Sequence, residues 1–325
     1  MLWKTTINAL KAMALSGGIL LGSGILATAT AAPAPSAPAG EPQTYSDRGA
    51  ATCAKCHDDA HVTDIFKTPH GVKGDSRTPF GQHECESCHG PSEAHVSSTP
   101  GPNGKKVSPA VVFTGPNASP VAERNKVCLT CHQNGLRMDW HGSQHQSNNL
   151  ACVSCHTLHV TKDPILVRAT QPEKCFTCHA AQRALSFQLS HHPIQEGKVV
   201  CTDCHNPHGS PGPTLLKKVR VTDVCYTCHA DKRGPMLWEH QPVREDCTNC
   251  HNPHGSVNPR LLKEKVPFLC IDCHAATNDM GAVGVSAHSV KPGSGSLYLY
   301  ADRSCLNCHS QIHGSNSPSG STFFR

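Results

Sequence analysis

The sequence has few of the side chains that normally build a protein core. Only 5% of its residues are aromatic and 16% are charged, whereas glycine and proline account for 26 and 25 of the 325 residues. So little apolar side chain cannot form an interior by burial alone. An ordinary globular protein is therefore excluded, and another group must supply the interior.

Recognisable catalytic signatures are missing as well. The chain has no glycine-rich phosphate loop, no Ser/His/Asp signature and no His-Glu-x-x-His motif, and its acidic residues are scattered without a suggestive pair. These absences leave phosphate-dependent, serine-hydrolase and metalloprotease chemistry without support. The chemistry must come from residues that the chain has in excess.

A long apolar stretch occurs only near the amino terminus. Lys4 and Lys11 supply positive charge beside the apolar residues 12–27, and residues 29–31 (Ala-Thr-Ala) fit a small-residue cleavage site. A membrane anchor is the alternative, but the stretch is short and is interrupted by glycines. We therefore predict a cleaved signal peptide at residues 1–32 and export of the remaining chain.

Cysteine and histidine are abundant instead, with 20 and 24 residues. Every cysteine belongs to a Cys-x-x-Cys-His motif, so none is left for the disulfide framework that many cysteines would ordinarily suggest. One such motif could be a zinc-binding or redox pair, but ten are typical of covalent haem attachment. The predicted attachment pairs are Cys53 and Cys56, Cys85 and Cys88, Cys128 and Cys131, Cys152 and Cys155, Cys175 and Cys178, Cys201 and Cys204, Cys225 and Cys228, Cys247 and Cys250, Cys270 and Cys273, and Cys305 and Cys308.

The histidine that ends each motif is the predicted proximal ligand of a haem iron. Both thiols form thioethers with the haem vinyl groups, and the histidine is then held under the iron. The sequence thus predicts ten covalently bound haem c groups, which agrees with export because c-type haem is attached outside the cytoplasm. The predicted proximal ligands are His57, His89, His132, His156, His179, His205, His229, His251, His274 and His309.

Fourteen further histidines remain, and their placement shows a repeat. In each copy, a motif is followed by a histidine, a second motif and another histidine. The five two-haem units lie at about residues 53–95, 128–159, 175–208, 225–254 and 270–313. Two extra histidines for two haems predict bis-histidine ligation throughout. The predicted distal ligands are His70, His95, His145, His159, His192, His208, His240, His254, His288 and His313.

Four histidines fall outside this count, namely His61, His83, His141 and His191. Any of them could replace an assigned ligand, and the iron that each extra histidine serves is also left open. Methionine is the usual competing axial ligand. Few methionines follow the leader, and we expect each to pack against a haem face.

Regular secondary structure is expected to be sparse. Residues 172–183 predict helical turns, because Pro172 suits the first turn of a helix. Asn-Pro-His-Gly at residues 206–209 and 252–255 predicts turns that bring the histidine back towards a haem. The predicted fold is mostly irregular with short α-helices, and neighbouring haems share walls because each has roughly 29 residues of chain.

The predicted domain organisation follows from these features. A Pro/Ala-rich linker at residues 33–50 separates the leader from a decahaem cytochrome domain at residues 51–325. The polypeptide has a net charge of +5. Cleavage of the leader removes Lys4 and Lys11, which leaves a net charge of +3. Twenty haem propionates would make the oxidised holoprotein about −7. Nucleic-acid binding is therefore not expected.

The chain resembles the periplasmic decahaem cytochromes of the MtrA, DmsE, PioA and MtoA group. The likeness runs from about Cys53 to Arg325. Its most specific stretches are Asp-Cys-His-Asn-Pro-His-Gly-Ser at 203–210, His-Ala-Asp-Lys-Arg-Gly-Pro-Met-Leu-Trp-Glu-His at 229–240, Cys-His-Asn-Pro-His-Gly-Ser-Val-Asn at 250–258 and Arg-Ser-Cys-Leu-Asn-Cys-His-Ser-Gln-Ile-His-Gly-Ser-Asn at 303–316. The resemblance implies an elongated multihaem cytochrome c with a single row of ten bis-histidine haems.

The resemblance also implies a location and partners. Such a protein lies in the periplasm, is partly sheathed by an outer-membrane β-barrel porin, and passes electrons between periplasm and cell exterior. The amino-terminal haems are implied to lie on the periplasmic side. Implied partners are periplasmic electron-carrier cytochromes and an outer-surface multihaem cytochrome or reductase. The direction is open, either inward from extracellular Fe(II) or outward to metal oxides or another terminal acceptor.

Two other functions compete with the conduit. One is a multihaem reductase of a nitrogen or sulfur oxyanion, which would need an iron with an open position. The other is a soluble periplasmic electron carrier without a barrel. Ten spare histidines for ten irons argue against the reductase. We therefore expect an electron-transfer protein and not an enzyme.

Overall fold

Each Cys-x-x-Cys-His motif is built on about one helical turn. The computed structural model of the protein describes residues 44–274, 305–307, 309–318 and 320–323. In nine of the motifs, the histidine amide donates a hydrogen bond of 2.9–3.0 Å to the carbonyl of the first cysteine, four residues earlier. Residues three apart share one side of such a turn. Both cysteines can therefore face the same porphyrin edge.

Short helices are the regular elements of the described residues, which contain no β-strand. The α-helices are α1 (Ala50–Cys53), α2 (Ala60–Thr63), α3 (Glu86–His89), α4 (Glu93–Ser97), α5 (Val121–Leu129), α6 (Gln144–Ser147), α7 (Gln171–Phe176), α8 (Ala180–Leu185), α9 (Cys201–Cys204), α10 (Val221–Cys225), α11 (Gln241–Glu245) and α12 (Phe268–His274). The mostly irregular fold with short helices is thus confirmed.

Single turns of 3-10 helix connect many of these segments. They are Asp64–Lys67, Pro69–Gly71, Pro79–Gly81, Gly135–Arg137, Cys152–Ser154, Pro164–Leu166, Pro213–Leu215, Ala230–Lys232, Pro259–Leu261, Cys247–Asn249, Cys305–Asn307 and Gly320–Thr322. Five of them begin with proline. Proline has a φ angle that suits the first turn of a helix. It has no amide hydrogen to donate, so it is unfavourable inside a longer helix.

The helical stretch predicted at residues 172–183 consists of two helices. Pro172 lies in the first turn of α7, as predicted. His179 then has φ −93° and ψ 57°, which is not helical, and α8 begins after it. The break falls on the predicted proximal histidine, so the motif ends one helix and turns the chain.

A conventional hydrophobic core is absent from the described part of the chain. Its buried hydrophobic residues are Ala50, Ile65, Phe80, Trp140, Ala151, Phe176, Val200 and Val224. Large apolar side chains lie exposed instead, with Leu189 at 83% and Leu166 at 72% exposure. Apolar surfaces of this extent normally face another body.

A repeated loop follows two of the motifs. The Asn206 amide donates to the Leu215 carbonyl, and the Asn252 amide donates to the Leu261 carbonyl, each at 2.7 Å. Isolated β-bridges join His205 to Leu216 and His251 to Leu262. The Gly209 amide closes the predicted Asn-Pro-His-Gly turn on the Asn206 carbonyl at 3.1 Å. The repeat in sequence is therefore also a repeat in backbone structure.

The first described residues pack against the second motif. The buried carboxylate of Glu86 accepts hydrogen bonds from the Ser46 amide at 3.1 Å and the Ser46 hydroxyl at 2.8 Å. The Ser92 amide donates to the same carboxylate at 2.8 Å. The predicted signal peptide and most of the predicted linker lie outside the described residues. Within those residues, no helix is both long and apolar enough to cross a membrane.

Candidate haem-binding sites

Nine pairs of histidine rings face each other in the described residues. We number the attachment sites 1 to 10 in the order of their motifs. The pairs are His57 with His95 (site 1), His89 with His159 (site 2), His132 with His70 (site 3), His156 with His208 (site 4), His179 with His145 (site 5), His205 with His254 (site 6), His229 with His192 (site 7), His251 with His313 (site 8) and His274 with His240 (site 9). Each pair joins one predicted proximal and one predicted distal histidine.

The spacing of the rings fits a metal ion between them. Ring centroids in the nine pairs are 5.9–6.3 Å apart. An imidazole nitrogen binds a metal at about 2 Å, so two imidazoles on opposite sides of one ion have centroids about 6 Å apart. The residues therefore fit an iron with histidine on both faces, although their role as ligands stays a prediction.

The pairing follows a rule that the sequence left open. The first extra histidine of a unit reaches forward to the first site of the next unit, as His145 does to His179. The second reaches back to the second site of the preceding unit, as His208 does to His156. Two reciprocal histidines thus cross each boundary between units. At the amino-terminal end, where no unit precedes, His95 faces His57 within its own unit.

Hydrogen bonds at Nδ1 orient many of these rings. Because a carbonyl oxygen can only accept, the bonded Nδ1 carries the proton and Nε2 is left for a metal. On the predicted distal histidines, the acceptors are the carbonyls of Val107 for His95 at 2.5 Å, Val62 for His159 at 3.1 Å, Pro207 for His145 at 2.7 Å and Pro253 for His192 at 2.7 Å.

The predicted proximal histidines of the even-numbered sites are held in the same way. The acceptors are the carbonyls of Val111 for His89 at 3.1 Å, Thr214 for His205 at 2.9 Å, Arg260 for His251 at 2.8 Å and Thr322 for His309 at 2.6 Å. At site 4 the acceptor is a side chain, because His156 Nδ1 lies 2.7 Å from the Asp163 carboxylate. The repeated loop thus serves two sites, since the Pro207 and Thr214 carbonyls orient histidines of sites 5 and 6.

Burial keeps several of the facing histidines neutral. Removal from water and, to a smaller extent, the facing His156 together lower the pKa of His208 to about 4. Burial likewise lowers the pKa of His89, His205 and His254. A neutral imidazole is the form that binds a metal. Burial therefore favours the ligand form of these four rings.

The four remaining histidines occupy other surroundings. His83 stacks on Tyr45 with centroids 4.0 Å apart, and His191 contacts the Gln188 carbonyl at 2.6 Å. His61 and His141 are exposed. None of the four faces another histidine across a metal-sized gap among the described residues. Their roles as alternative ligands thus gain no geometric support there.

The first cysteines of the two motifs in a unit lie together. The paired thiols shift each other's pKa, and the pairs are Cys53 with Cys85, Cys128 with Cys152, Cys175 with Cys201, Cys225 with Cys247 and Cys270 with Cys305. In the first pair, the interaction lowers the pKa of the Cys53 thiol to about 7 and raises the pKa of the Cys85 thiol. These thiols stand in for the thioether sulfurs of an attached haem. The pKa shifts therefore indicate that the two sulfur atoms lie close together, and they do not describe an ionisation of the mature protein.

The second cysteines lie together between units. Burial raises the pKa of Cys88, and the nearby Cys131 thiol raises it further. The same neighbour effect relates Cys155 to Cys178, Cys204 to Cys228 and Cys250 to Cys273. The two kinds of contact alternate along the chain. Every attachment site from 1 to 10 is thereby next to the sites before and after it in sequence.

Some predicted site residues cannot be located, because His288 and Cys308 lie outside the described residues. No disulfide joins the described cysteines. The described residues also contain no group of three or more His, Cys, Asp or Glu side chains arranged around one point. The described residues thus form pairs of facing histidines and no zinc-type cluster.

Sequence reasoning missed the groups that orient the ligands. Asp163 follows the fourth motif by only a few residues, but nothing in that spacing indicated that its carboxylate contacts His156. The orienting carbonyls are part of the backbone, so residue type does not reveal them. The repeated Asn-Pro-His-Gly-Ser was a usable signal. It predicted a turn, but it did not predict that the proline carbonyl orients a histidine of another site.

Comparisons with known proteins identify the family that the chain resembles. The family model of the doubled CXXCH motif matches residues 191–234 and 240–279, and that of the NrfB-like cytochrome c-type protein matches residues 85–171. Multiheme cytochrome MtrA of Shewanella baltica is 43% identical, over 85% of this chain and 81% of the relative. Cytochrome c-type protein NrfB of Haemophilus influenzae is 32% identical, over 40% of this chain and 65% of the relative.

The attachment motifs and facing histidines define the class. The chain is a multihaem c-type cytochrome, and it transfers electrons rather than acting as an enzyme. Within that class, the extent and identity of the match to the Shewanella baltica protein show that the chain belongs to the MtrA family.

Proposed function

We propose that the chain carries ten haem c groups in one row and conducts electrons across the outer membrane inside a β-barrel porin. The observation that carries this proposal is that cysteines of consecutive sites lie near one another from site 1 to site 10. Each bound haem would supply one reversible Fe(III)/Fe(II) couple. Electrons could then pass along the chain in the order of the motifs.

The axial ligands of nine sites are proposed from the facing histidines. Sites 1 to 9 would be held by the pairs described above, in which a predicted proximal ring faces a predicted distal ring. For site 10 we propose His309 and His288. The reasoning is by symmetry, since His95 serves its own unit at one end and His288 is the extra histidine left at the other.

Closed axial positions favour electron transfer over catalysis. An oxyanion reductase needs one iron that substrate can reach. In the described residues, nine proximal histidines are each faced by a second histidine at about 6 Å. A nitrogen or sulfur oxyanion would have to displace one of these two imidazoles. A reductase is therefore the weaker proposal.

The location and partners are proposed from family membership. They are the periplasm in association with the outer membrane, a porin around the cytochrome, periplasmic electron-carrier cytochromes on one side, and an outer-surface multihaem cytochrome or reductase on the other. Electrons could pass between consecutive sites in either direction along the row. Extracellular Fe(II) oxidation and reduction of an external acceptor would thus use the same row.

A liposome experiment tests the conduit. Liposomes that contain a trapped, membrane-impermeant redox dye are prepared with porin and cytochrome, with porin alone, with cytochrome alone, or with neither. Dithionite is then added outside. We expect rapid dye reduction only when both proteins are present.

Two other results would contradict the proposal. Nitrite or sulfur-oxyanion turnover by the cytochrome alone, with no transfer across the membrane, would support a reductase. Reversible reduction of all haems in solution, with no binding to the porin and no transfer, would support a soluble carrier.

A further inference from the structure

One proposed axial histidine differs from the others in its hydrogen-bond partner. The hydrogen bonds described for eight other facing or motif histidines end on backbone carbonyls. His156 of site 4 instead meets the carboxylate of Asp163, with Nδ1 and Oδ2 2.7 Å apart. A neutral dipole is therefore replaced by a full negative charge at this site.

The carboxylate is fixed in position and shielded from water. Oδ1 of Asp163 accepts hydrogen bonds from the amides of Thr157 at 3.2 Å and Ile165 at 3.3 Å, which leaves Oδ2 for the histidine. The Asp163 side chain is only 10% exposed. A charge in such surroundings acts more strongly on its neighbour than a charge in water.

The other face of site 4 lies near a positive charge, since burial and, to a smaller extent, Arg137 lower the pKa of His208. His208 faces His156 with ring centroids 6.0 Å apart and nearly parallel planes at 9°. The Nδ1 atom of His208 is buried, and no hydrogen-bond partner is described for it. Trp140 packs against the same ring with centroids 6.4 Å apart. Asp163 is thus the charged group that hydrogen-bonds directly to a proposed ligand of this site.

We propose that Asp163 is a positioning residue that sets the reduction potential of site 4. A carboxylate that accepts the Nδ1 proton makes the imidazole a stronger electron donor through Nε2. A more basic ligand and a nearby negative charge both stabilise Fe(III) relative to Fe(II). Asp163 therefore holds site 4 at a lower potential than a backbone carbonyl would.

This inference rests on the proposed axial role of His156. The test replaces the carboxylate while it keeps an acceptor oxygen, in the full-length holoprotein with Asp163→Asn. Spectroelectrochemical titration, followed through the haem absorbance, measures the potentials, and EPR of the oxidised protein measures the ligand field. We expect one haem equivalent to move to higher potential and one low-spin EPR signal to change its g values.

Matched variants separate the carboxylate contact from a general charge effect. Asp203→Asn removes the same charge inside the motif of site 6, where Asp203 contacts Arg168 and the Val200 amide rather than a histidine. Asp163→Glu retains the charge. We expect the wild-type titration from Asp163→Glu and no comparable shift from Asp203→Asn. If Asp163→Asn fails to mature, Asp163→Ser removes the charge with the same expected shift.

The outcomes are distinguishable from failure of the proposed function. Unchanged potentials in Asp163→Asn, or an equal shift in Asp203→Asn, with all haems low-spin, would overturn the inference about Asp163 alone. A high-spin haem in the wild-type protein would instead contradict the proposed bis-histidine ligation. A shift in Asp163→Glu as large as in Asp163→Asn would show that geometry, not charge, sets the potential.

Discussion

At sites 2 to 9, the histidine at the second face connects neighbouring units. His208 belongs to the unit of sites 5 and 6, yet it faces His156 of site 4. His254 likewise faces His205 of site 6. Loss of one such side chain should therefore open an iron in the preceding unit. The unit that supplies the histidine should keep both of its own sites closed.

Replacement of His208 tests this exchange. His208→Ala should convert one low-spin haem, at site 4, to a high-spin form, because an alanine cannot bind the iron. Near-infrared magnetic circular dichroism and EPR count the low-spin and high-spin irons. His191→Ala is the matched control, since His191 adjoins a proposed ligand but faces the Gln188 carbonyl. An unchanged spectrum for His208→Ala would exclude it as a ligand.

The residues that attach haem could be predicted because their pattern is local. Two cysteines and a histidine in five positions need only one helical turn, and the structure provides that turn in each described case. The partner of each proximal histidine could not be predicted. His70 and His132 lie in different units, as do His89 and His159, and only the folded chain brings them together. Asp163 was missed for a related reason, since its contact depends on the course of one loop.

At the scale of elements, the repeated loop after sites 6 and 8 does two tasks. Its histidine faces one site, and its proline carbonyl orients a histidine of another. The glycine that follows the histidine lets the loop backbone lie close to another segment of the chain. Gly209 has φ +113°, and a Cβ atom placed there would overlap the Asp139 carbonyl. The sequence predicted the turn from Asn-Pro-His-Gly, but not the backbone that it contacts.

Substitution of Gly209 should destabilise the protein through this contact. Gly104→Ala is the control, since Gly104 also has a positive φ, +71°, but nothing lies within 4 Å of a Cβ there. Backbone strain alone should cost about 1 kcal/mol in Gly104→Ala. Gly209→Ala should cost roughly 2–3 kcal/mol more, because backbone must also move. Chemical denaturation followed by circular dichroism measures both. Equal costs would contradict the close approach.

At the scale of the whole molecule, the cofactors take the place of a hydrophobic core. The described residues bury eight apolar side chains, and only Ala50, Ile65 and Phe80 form a cluster among themselves. Composition alone predicted this shortage, because glycine and proline replace apolar residues throughout. We therefore expect the chain to depend on haem for folding, as metal-dependent small domains depend on their ion.

The chain without haem should be unfolded. Expression in a cytoplasm that lacks haem attachment, with thiols kept reduced, gives the same polypeptide without its cofactors. We expect a disordered far-ultraviolet circular dichroism spectrum and no cooperative thermal transition, because the remaining core cannot offset the loss of chain entropy. The haem-loaded protein in the same buffer is the control. A cooperative transition in the haem-free chain would contradict this account.

Conduction through a continuous row is the central claim at this scale. Cysteines of consecutive sites lie near one another in the order of the motifs, so a break at any interior site should divide the proposed row. Removal of both attachment cysteines of site 5, in Cys175→Ala with Cys178→Ala, makes such a break. Pyridine haemochrome analysis establishes that nine haems remain, against ten in the wild type.

The rate of electron transfer across porin-containing liposomes tests the claim most directly. We predict fast reduction of the trapped dye with the wild-type cytochrome. With the nine-haem variant, bound to the porin in equal amount, the rate should fall to that of porin alone. Transfer at the wild-type rate through the nine-haem variant would contradict a single row of haems.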